Sequence, residues 1–235
     1  MEIPMSEHMA YDRAIVVFSP EGRLYQVEYA RQAVDKATTT LGIVFKNGVA
    51  LIATKIIPEL SVQVTSEKIF KIDEHIGAAT CGLIADSRVL IDFARIQAQI
   101  NRITYNEPIE IRALVKEIGD RKQIFTQYAG IRPYGVSLLI GGMDGKPHLY
   151  ETDPSGTIRE WKAHVIGRGA DAGRKVLIKK YKENINKEDA IKLGLEALKA
   201  AKENLTPKSV EIGIVEDKKF NMLGTEEVKK FLKMK

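Results

Sequence analysis

The sequence of 235 residues has a single cysteine, Cys81, and no run of 18 consecutive apolar residues. One cysteine cannot form an intrachain disulfide, and it argues against a cysteine-based zinc site; such sparse use is typical of a reducing cytoplasm. Without a long apolar run, no membrane-spanning helix is predicted. The first ten residues, MEIPMSEHMA, lack the basic and apolar regions of a secretory signal. We therefore expect a cytoplasmic protein that does not associate with membranes.

Phosphate-binding and metal-binding motifs are also absent from the sequence. No GxxxxGK[ST] run occurs, and Gly167-Arg168-Gly169 lacks the third glycine of a GxGxxG loop. The histidines do not fall in an HxxxH or HExxH spacing, so neither a metal site nor a cofactor is predicted. Each histidine is better interpreted as an ordinary surface or core residue. The four are His8, His75, His148 and His164.

The charge balance is mildly basic, with 36 lysines and arginines against 31 acidic residues and a net charge of +5. Nucleic-acid-binding proteins usually concentrate such an excess in one patch, whereas here the basic residues are scattered. The densest stretches, at 179–180 and 229–235, alternate with apolar residues at helical spacing, which is typical of solvated helix faces. No nucleic-acid partner is therefore expected.

The first regular elements are indicated by local residue types. Ser19-Pro20 has the composition of a helix start, which predicts a helix over 20–35. Asn47-Gly48 lies between two β-branched stretches, and this pattern predicts a hairpin of strands 38–46 and 48–56.

A long helix is predicted over 84–104, because apolar residues recur there in steps of four and three. These residues are Val89, Phe93, Ile96, Ile100 and Ile103.

Further along the chain, helices occur in pairs between pairs of strands. This order does not fit βαβ alternation, and it favours antiparallel sheets with helices layered outside them. We therefore predict one α+β sandwich domain over 1–235. The remaining predicted elements are strands at 67–73, 76–81, 134–141, 146–151, 162–167, 209–215 and 219–223, and helices from Pro108, at 170–184, at 187–204 and from Thr225.

One cluster, Thr38-Thr39-Thr40-Leu41-Gly42, has the residue types of a nucleophilic site. A threonine hydroxyl is a nucleophile when its own free α-amine acts as the base, which requires threonine to be the first residue of the mature chain. The alternative is a β-branched strand start, which threonine serves well. From the residues alone, the strand start is the simpler interpretation.

Five stretches of the chain match one known family: YDRAI at 11–15, FSPEGRLYQVEYA at 18–30, TCGLIAD at 80–86, QYAGIRPYGVSL at 127–138 and DPSG at 153–156. In these stretches the chain resembles proteasome α subunits, most closely those of the archaeal type. The resemblance implies the N-terminal-nucleophile hydrolase fold, an αββα sandwich of two antiparallel sheets between helical layers. It also implies a homo-heptameric ring stacked on β subunits, in which the helix at 20–35 distinguishes α from β subunits.

Catalytic proteasome β subunits carry a set of active-site residues, and the resemblance implies that this chain lacks several of them. The resemblance places Thr38 at the nucleophile and Lys68 at the lysine that tunes its amine. However, 37 residues precede Thr38, and Ala37 stands where self-processing precursors carry glycine. The acidic partner of the lysine falls at Thr54, and the serine of the family's Gly-Ser-Gly turn falls at Arg168. Because free-amine catalysis needs its base beside the nucleophile, we expect a catalytically inactive subunit.

The resemblance implies that residues 1–12 are a flexible gate segment over the axial pore of the ring. It also implies that a cluster of residues holds this gate open when a regulator binds. Proline fixes a rigid turn, aspartate accepts hydrogen bonds from tyrosine hydroxyls, and the aromatic rings pack together. The alternative is a packed helix N-terminus without a gating role. The matched residues are Tyr11, Asp12, Arg13, Pro20 and Tyr29.

Glu28, Lys68 and Gly82 match the positions that receive the C-terminal tail of an activating AAA ATPase, in a pocket between neighbouring subunits. A lysine ammonium suits a chain-terminal carboxylate, glutamate accepts from a tail hydroxyl or amide, and glycine permits close backbone approach. For Lys68, the alternatives are a solvated lysine at a strand end or a relic of catalytic ancestry.

Tyr128, Ala129, Gly130 and Ile131 match the loop that narrows the channel inside the ring, through which only unfolded polypeptide passes. The family more often has glycine where Ala129 stands, so a stiffer loop is expected here. The alternative is an ordinary helix-to-strand turn.

Residues 54–60, TKIIPEL, and Arg168 depart from the family's pattern, and contacts between neighbouring subunits are where we expect the consequences. Two other functions therefore stay open at this point. One is an α-like ring protein that binds a chaperone or another partner instead of β subunits. The other is an active threonine hydrolase cut before Thr38.

Overall fold

A computed structural model of the protein describes residues 17–60 and 67–233. In these ranges the chain forms two five-stranded sheets. The helices are α1 (Tyr25–Lys36), α2 (Ile84–Tyr105), α3 (Ile111–Ile124), α4 (Ala170–Lys180), α5 (Lys187–Ala200) and α6 (Thr225–Lys233). The strands are β1 (Thr40–Phe45), β2 (Gly48–Thr54), β3 (Ile69–Asp73), β4 (Ile76–Gly82), β5 (Val136–Met143), β6 (Pro147–Thr152), β7 (Ile158–Glu160), β8 (Ala163–Ile166), β9 (Val210–Glu216) and β10 (Lys219–Met222).

Both sheets are antiparallel and pack face to face. The first has the strand order β10-β9-β2-β1-β8, and the second has the order β3-β4-β5-β6-β7. The β1–β2 hairpin pairs Phe45 with Gly48, as the Asn47-Gly48 signal predicts. Between the sheets, β1 lies against β6, and β9 lies against β3 and β4. Leu51, Leu139 and Leu149 are fully buried in this inner core.

Helices cover the outer faces of both sheets. The apolar sides of α4 and α5 bury Leu177, Ile191 and Leu198 against the first sheet. Leu90 of α2 and Leu114 of α3 pack in the same way on the second sheet. The two sheets therefore lie between two helical layers, which confirms the predicted α+β sandwich. None of the helices in the described ranges has the length and apolarity needed to cross a membrane.

The predicted helix over 20–35 starts later than its sequence signals suggest. Ser19 is not a helix cap but the first residue of a closed turn: its hydroxyl and carbonyl accept from the amides of Arg23 and Gly22. Pro20 lies inside this turn, and helical structure begins only at Tyr25. The prediction that Ser19 caps the helix and that Pro20 is its first residue was therefore wrong, because Leu24 is the residue that precedes the helix.

Helix α2 spans the predicted residues, but its regular apolar stripe points away from the core. The side that packs on the second sheet carries Leu90, Ile91, Ala94 and Ala98. Of the five residues that predicted the helix, only Phe93 packs against this core. The others are exposed by between 47% and 83%: Val89, Ile96, Ile100 and Ile103.

Candidate functional site

Thr38 lies just before β1, in contact with the end of β2 and with the residue that precedes β3. Its hydroxyl donates to the carbonyl of Thr54 at 2.6 Å. The ammonium of Lys68 donates to the Thr38 carbonyl at 2.7 Å and to its hydroxyl oxygen at 2.9 Å. The amide nitrogen of Thr38 belongs to the peptide bond with Ala37, so it carries no lone pair that could take a proton. The site therefore pairs a threonine hydroxyl with a lysine but lacks the free α-amine that serves an N-terminal threonine as its base.

Lys68 is 7% exposed, and burial lowers the pKa of its ammonium, while Cys81, Glu203 and Glu211 oppose this shift. Two of its N–H groups are directed at Thr38, and no described residue accepts from the third. Lys68 thus retains one donor for a further acceptor.

Glu203 is a buried carboxylate beside the threonine cluster, with its side chain only 2% exposed. It accepts from the amide and hydroxyl of Thr39 at 3.1 and 2.6 Å, and from Nε of Arg168 at 2.9 Å. Burial disfavours the carboxylate, but these hydrogen bonds from Arg168 and Thr39 outweigh it and lower the pKa of Glu203 to about 2. Arg168, where the resemblance leads one to expect serine, is therefore the counter-ion of a buried acid.

A second buried carboxylate, Glu211 of β9, fixes the segments on either side of residues 61–66. It accepts from the ammonium of Lys55 at 2.6 Å and from the amides of Lys68 and Ile69 at 2.8 and 3.1 Å. These contacts tie the start of the 55–60 segment and the start of β3 to the same strand. A cavity of about 420 Å³ opens between that segment, Thr38 and Arg168.

The three residues assigned to the docking pocket do not meet within one chain. Glu28 lies in the first turn of α1 and pairs with Arg23, with 2.8 Å between Oε1 and Nε. No hydrogen bond or ion pair joins it to Lys68 among the described residues. Gly82, at the end of β4, has a φ of +129°, and a Cβ there would lie 2.2 Å from the carbonyl oxygen of Gly135. Glycine is thus required at position 82 by the neighbouring backbone.

Of the predicted gate residues, the structure places two. Tyr11, Asp12, Arg13 and the rest of 1–12 lie outside the described residues. Pro20 is exposed in the Ser19–Arg23 turn, and Tyr29 stacks on Tyr25 with 6.4 Å between ring centroids.

The predicted constriction lies in a projecting loop between α3 and β5. Tyr128, Ala129 and Gly130 are exposed, while Ile131 is half-buried. Gly130 has a φ of +88° and open space around it. The base of the loop is fixed, because Asp86 accepts from both terminal nitrogens of Arg132 at 2.6 and 2.7 Å. A rigid base with an exposed tip is compatible with a constriction and with an ordinary turn.

Two family models match this chain: that of the proteasome subunit over residues 34–215, and the N-terminal signature of proteasome α-type subunits over residues 11–33. The chain belongs to the proteasome α-subunit family. Its similar relatives include proteins that are named as proteasome alpha subunits. That of Methanosarcina acetivorans is 53% identical over 97% of this chain and 94% of the relative. The corresponding values are 53%, 95% and 93% for Archaeoglobus fulgidus, and 51%, 95% and 87% for Methanocaldococcus jannaschii.

Membership of the proteasome α-subunit family confirms the resemblance seen in the sequence.

The residues around Thr38 were predicted only in part. The contact between Lys68 and Thr38 agrees with what the resemblance implies, whereas Glu203 and Asp86 were missed. Both acids are buried partners of exposed arginines, and their partners are 35 and 46 residues away in the sequence. No local pattern marks such pairs, so only the folded chain reveals them.

Proposed function

We propose that this chain is a cytoplasmic, non-catalytic α subunit of the proteasome core particle. It forms the outer homo-heptameric ring on β subunits, admits unfolded proteins through a gated pore, and docks an AAA ATPase by the C-terminal tails of that regulator. The observation that carries the proposal is the family's threonine–lysine pair without its amine base: Lys68 contacts Thr38, whose nitrogen is part of a peptide bond.

A peptide-bonded Thr38 supports the lack of catalytic activity. Cleavage before Thr38 would create the missing amine, but it would also remove α1, whose Val34 is buried in the inner core. The intact mass of the purified chain distinguishes these states, because processing removes 37 residues. A full-length mass supports the proposal, and a chain that begins at Thr38 would overturn it.

The exposed side of α2 supports the seating of this subunit on a β ring. Ile96, Ile100 and Ile103 recur at helical spacing and are 56%, 50% and 83% exposed. A row of exposed apolar side chains on one helix face is typical of an interaction site on a protein. It lies on the helical layer formed by α2 and α3, so a β ring would cover this layer.

Deleting residues 2–12 tests the gate. The core particle assembled from this chain and a β-type subunit should then hydrolyse short fluorogenic peptides several-fold faster, because the pore is no longer covered. The control is the same particle with full-length chain, compared at equal concentrations of active β subunits. Equal rates for the two particles would contradict a gating role for this segment.

Replacing Lys68 by alanine tests the docking site. The remaining N–H donor of Lys68 is lost, so stimulation of peptide hydrolysis by an activating ATPase should be abolished. Lys71→Ala is the matched control, because Lys71 lies three residues further on in β3, its side chain is 44% exposed, and among the described residues that side chain pairs only with Glu74. Stimulation should survive in the control. Since burial lowers the pKa of Lys68, its ammonium loses its proton at a lower pH than that of an exposed lysine. As the pH rises, ATPase stimulation of the wild type should therefore decline earlier than it would with an exposed lysine. Full stimulation of Lys68→Ala would refute the assignment.

A further inference from the structure

Most of the chain's net positive charge lies on one pair of helices. Residues 170–202, which form α4, α5 and the connection between them, include nine basic and five acidic residues. This excess accounts for most of the net charge of +5. Because α4 and α5 pack side by side on the first sheet, their charges share one outer surface.

Six lysines of this pair have no partner for their ammonium groups among the described residues. The buried residues of both helices face the first sheet, and the six lysines lie away from it. Five are exposed and Lys192 is half-buried. We call these six residues the lysine surface: Lys175, Lys179, Lys182, Lys192, Lys199 and Lys202.

The acidic residues of the same range do not neutralise the lysine surface. Glu196 pairs with Lys180, and Glu183 pairs with a lysine of the β7–β8 turn. Of the five acids, Glu188 alone has a side chain without an ion pair or hydrogen bond within the described part of the chain. Six unpaired lysines thus face one unpaired glutamate, so the surface can accept carboxylates from another chain.

The lysine surface lies on the helical layer that faces away from the proposed β ring. The proposed function places α2 against that ring, whereas α4 and α5 cover the opposite face of the two-sheet sandwich. A polypeptide that enters the particle therefore approaches from the side of α4 and α5.

The residue types of this surface favour an acidic polypeptide over a nucleic acid. Arg174 is the one arginine among the nine basic residues of 170–202, and Tyr181, the one aromatic residue there, is half-buried. Single-stranded nucleic acids are bound by stacking on exposed aromatic side chains and by arginine. A lysine ammonium is a point charge on a flexible stem, so it pairs with carboxylates without a fixed geometry.

We infer that the lysine surface binds acidic segments of unfolded polypeptides before they enter the particle. Opposite charge raises the local concentration of such a segment at the surface and speeds its association. Acidic substrates are then degraded at lower concentrations than neutral substrates of the same length. This inference rests on the proposed function and assigns it a preferred class of substrate.

Fluorescence anisotropy tests the binding on the full-length chain without a β-type subunit. A labelled peptide of alternating glutamate and glycine should bind, and the same peptide with glutamine in place of glutamate should not. Added salt should weaken the binding, because exposed ion pairs are screened. Equal binding of the two peptides, or tighter binding of a single-stranded RNA of the same length, would overturn the inference.

Two triple variants locate the binding. The first replaces three lysines of the lysine surface by glutamine and should weaken binding of the glutamate peptide about fivefold or more, because three modest ion pairs are lost. The second removes the same charge from exposed lysines outside α4 and α5 and should bind as the wild type does. Circular dichroism verifies that both are folded. The substitutions are Lys175→Gln, Lys179→Gln and Lys192→Gln for the surface, and Lys71→Gln, Lys116→Gln and Lys146→Gln for the control.

Degradation by the particle assembled with a β-type subunit tests the consequence. The deletion of residues 2–12 is used throughout, so that the proposed gate does not limit entry. For an unfolded substrate with a run of glutamates, the surface variant should raise KM and leave kcat unchanged; with glutamines in place of the glutamates, neither should change. An unchanged KM for the glutamate substrate would overturn the inference and leave the proposed function intact. Failure of the wild-type chain to assemble with a β-type subunit would overturn the proposed function.

Discussion

Replacing Arg168 by serine should lower the free energy of unfolding by about 2–3 kcal/mol at neutral pH, because a buried carboxylate loses its counter-ion. Glu203 is 2% exposed, while Arg168 is 46% exposed, so solvent screens part of their attraction. The hydrogen bonds from Thr39 remain in the variant and keep the loss below that of a fully buried pair. The denaturant midpoint, measured at one protein concentration, gives this change.

The same substitution should change the acid side of the stability profile. The pKa of Glu203 is about 2 in the folded chain, against an ordinary value of 4.5. Its contribution is therefore fully present above pH 4.5 and is lost as the pH falls towards 2. In Arg168→Ser the folded pKa moves back towards the ordinary value, so the variant should lose less stability than wild type over this range.

Arg95→Ser is the matched control for this prediction. Arg95 is 44% exposed, close to the value for Arg168, but its partners are the carbonyl of Lys71 and Asp92, whose side chain is itself 66% exposed. An exposed pair contributes little, so the loss should stay within about 1 kcal/mol. An equal loss in both variants would show that Arg168 does not act through the burial of Glu203.

Most strands and helices could be predicted from the sequence because their signals are local, although β7 was missed and α1 begins five residues later than predicted. Asn47-Gly48 fixes a hairpin by its turn geometry, and the steps of four and three in α2 fix a helix. The same steps did not reveal which side of α2 meets the core, because Leu90 and Ile91 give the opposite side an apolar character as well. Periodicity identifies a helix, whereas packing decides which of two apolar faces is buried.

The site residues likewise fall into two groups: those that the sequence predicts and those that only the folded chain reveals. The contact between Lys68 and Thr38 was implied by family resemblance and is present in the fold. Glu28 and Lys68 are not joined by any hydrogen bond or ion pair among the described residues, and the proposed docking pocket takes them from two neighbouring copies. Glu203 was missed because its contact with Thr39 joins residues 164 positions apart. Such a contact depends on tertiary structure, for which a local motif carries no signal.

Lys122 of α3 should make the protein more stable as the pH rises from 7 to 10. It is completely buried, and its amine lies 3.0 Å from the carbonyl oxygen of Val136 and 2.8 Å from both oxygens of Thr152. Burial lowers the pKa of Lys122 to about 7, although Asp153 and Glu151 oppose the shift. The hydroxyl of Thr152 can accept from the ammonium or donate to the neutral amine, so both forms are hydrogen-bonded.

The sign follows from the two pKa values. The unfolded chain holds a proton on this lysine up to its ordinary pKa of 10.5, whereas the folded chain releases it near 7. Between these values the unfolded state binds more protons, so stability increases with pH. The gain between pH 7 and 10 is about 3–4 kcal/mol, at about 1.4 kcal/mol for each unit of separation.

Lys122→Met isolates this contribution. In this variant the oxygens of Val136 and Thr152 lose their donor, and the cost in free energy is the same at every pH. The free energy of unfolding of the wild type minus that of the variant should therefore rise by about 3–4 kcal/mol from pH 7 to 10. Lys116→Met is the control, because Lys116 lies on the same helix, is 68% exposed and has its pKa raised by Asp120. For this control the difference from wild type should stay nearly constant. A constant difference for Lys122→Met would mean that the buried amine keeps its proton throughout this range, held by its three oxygen acceptors against the cost of burial.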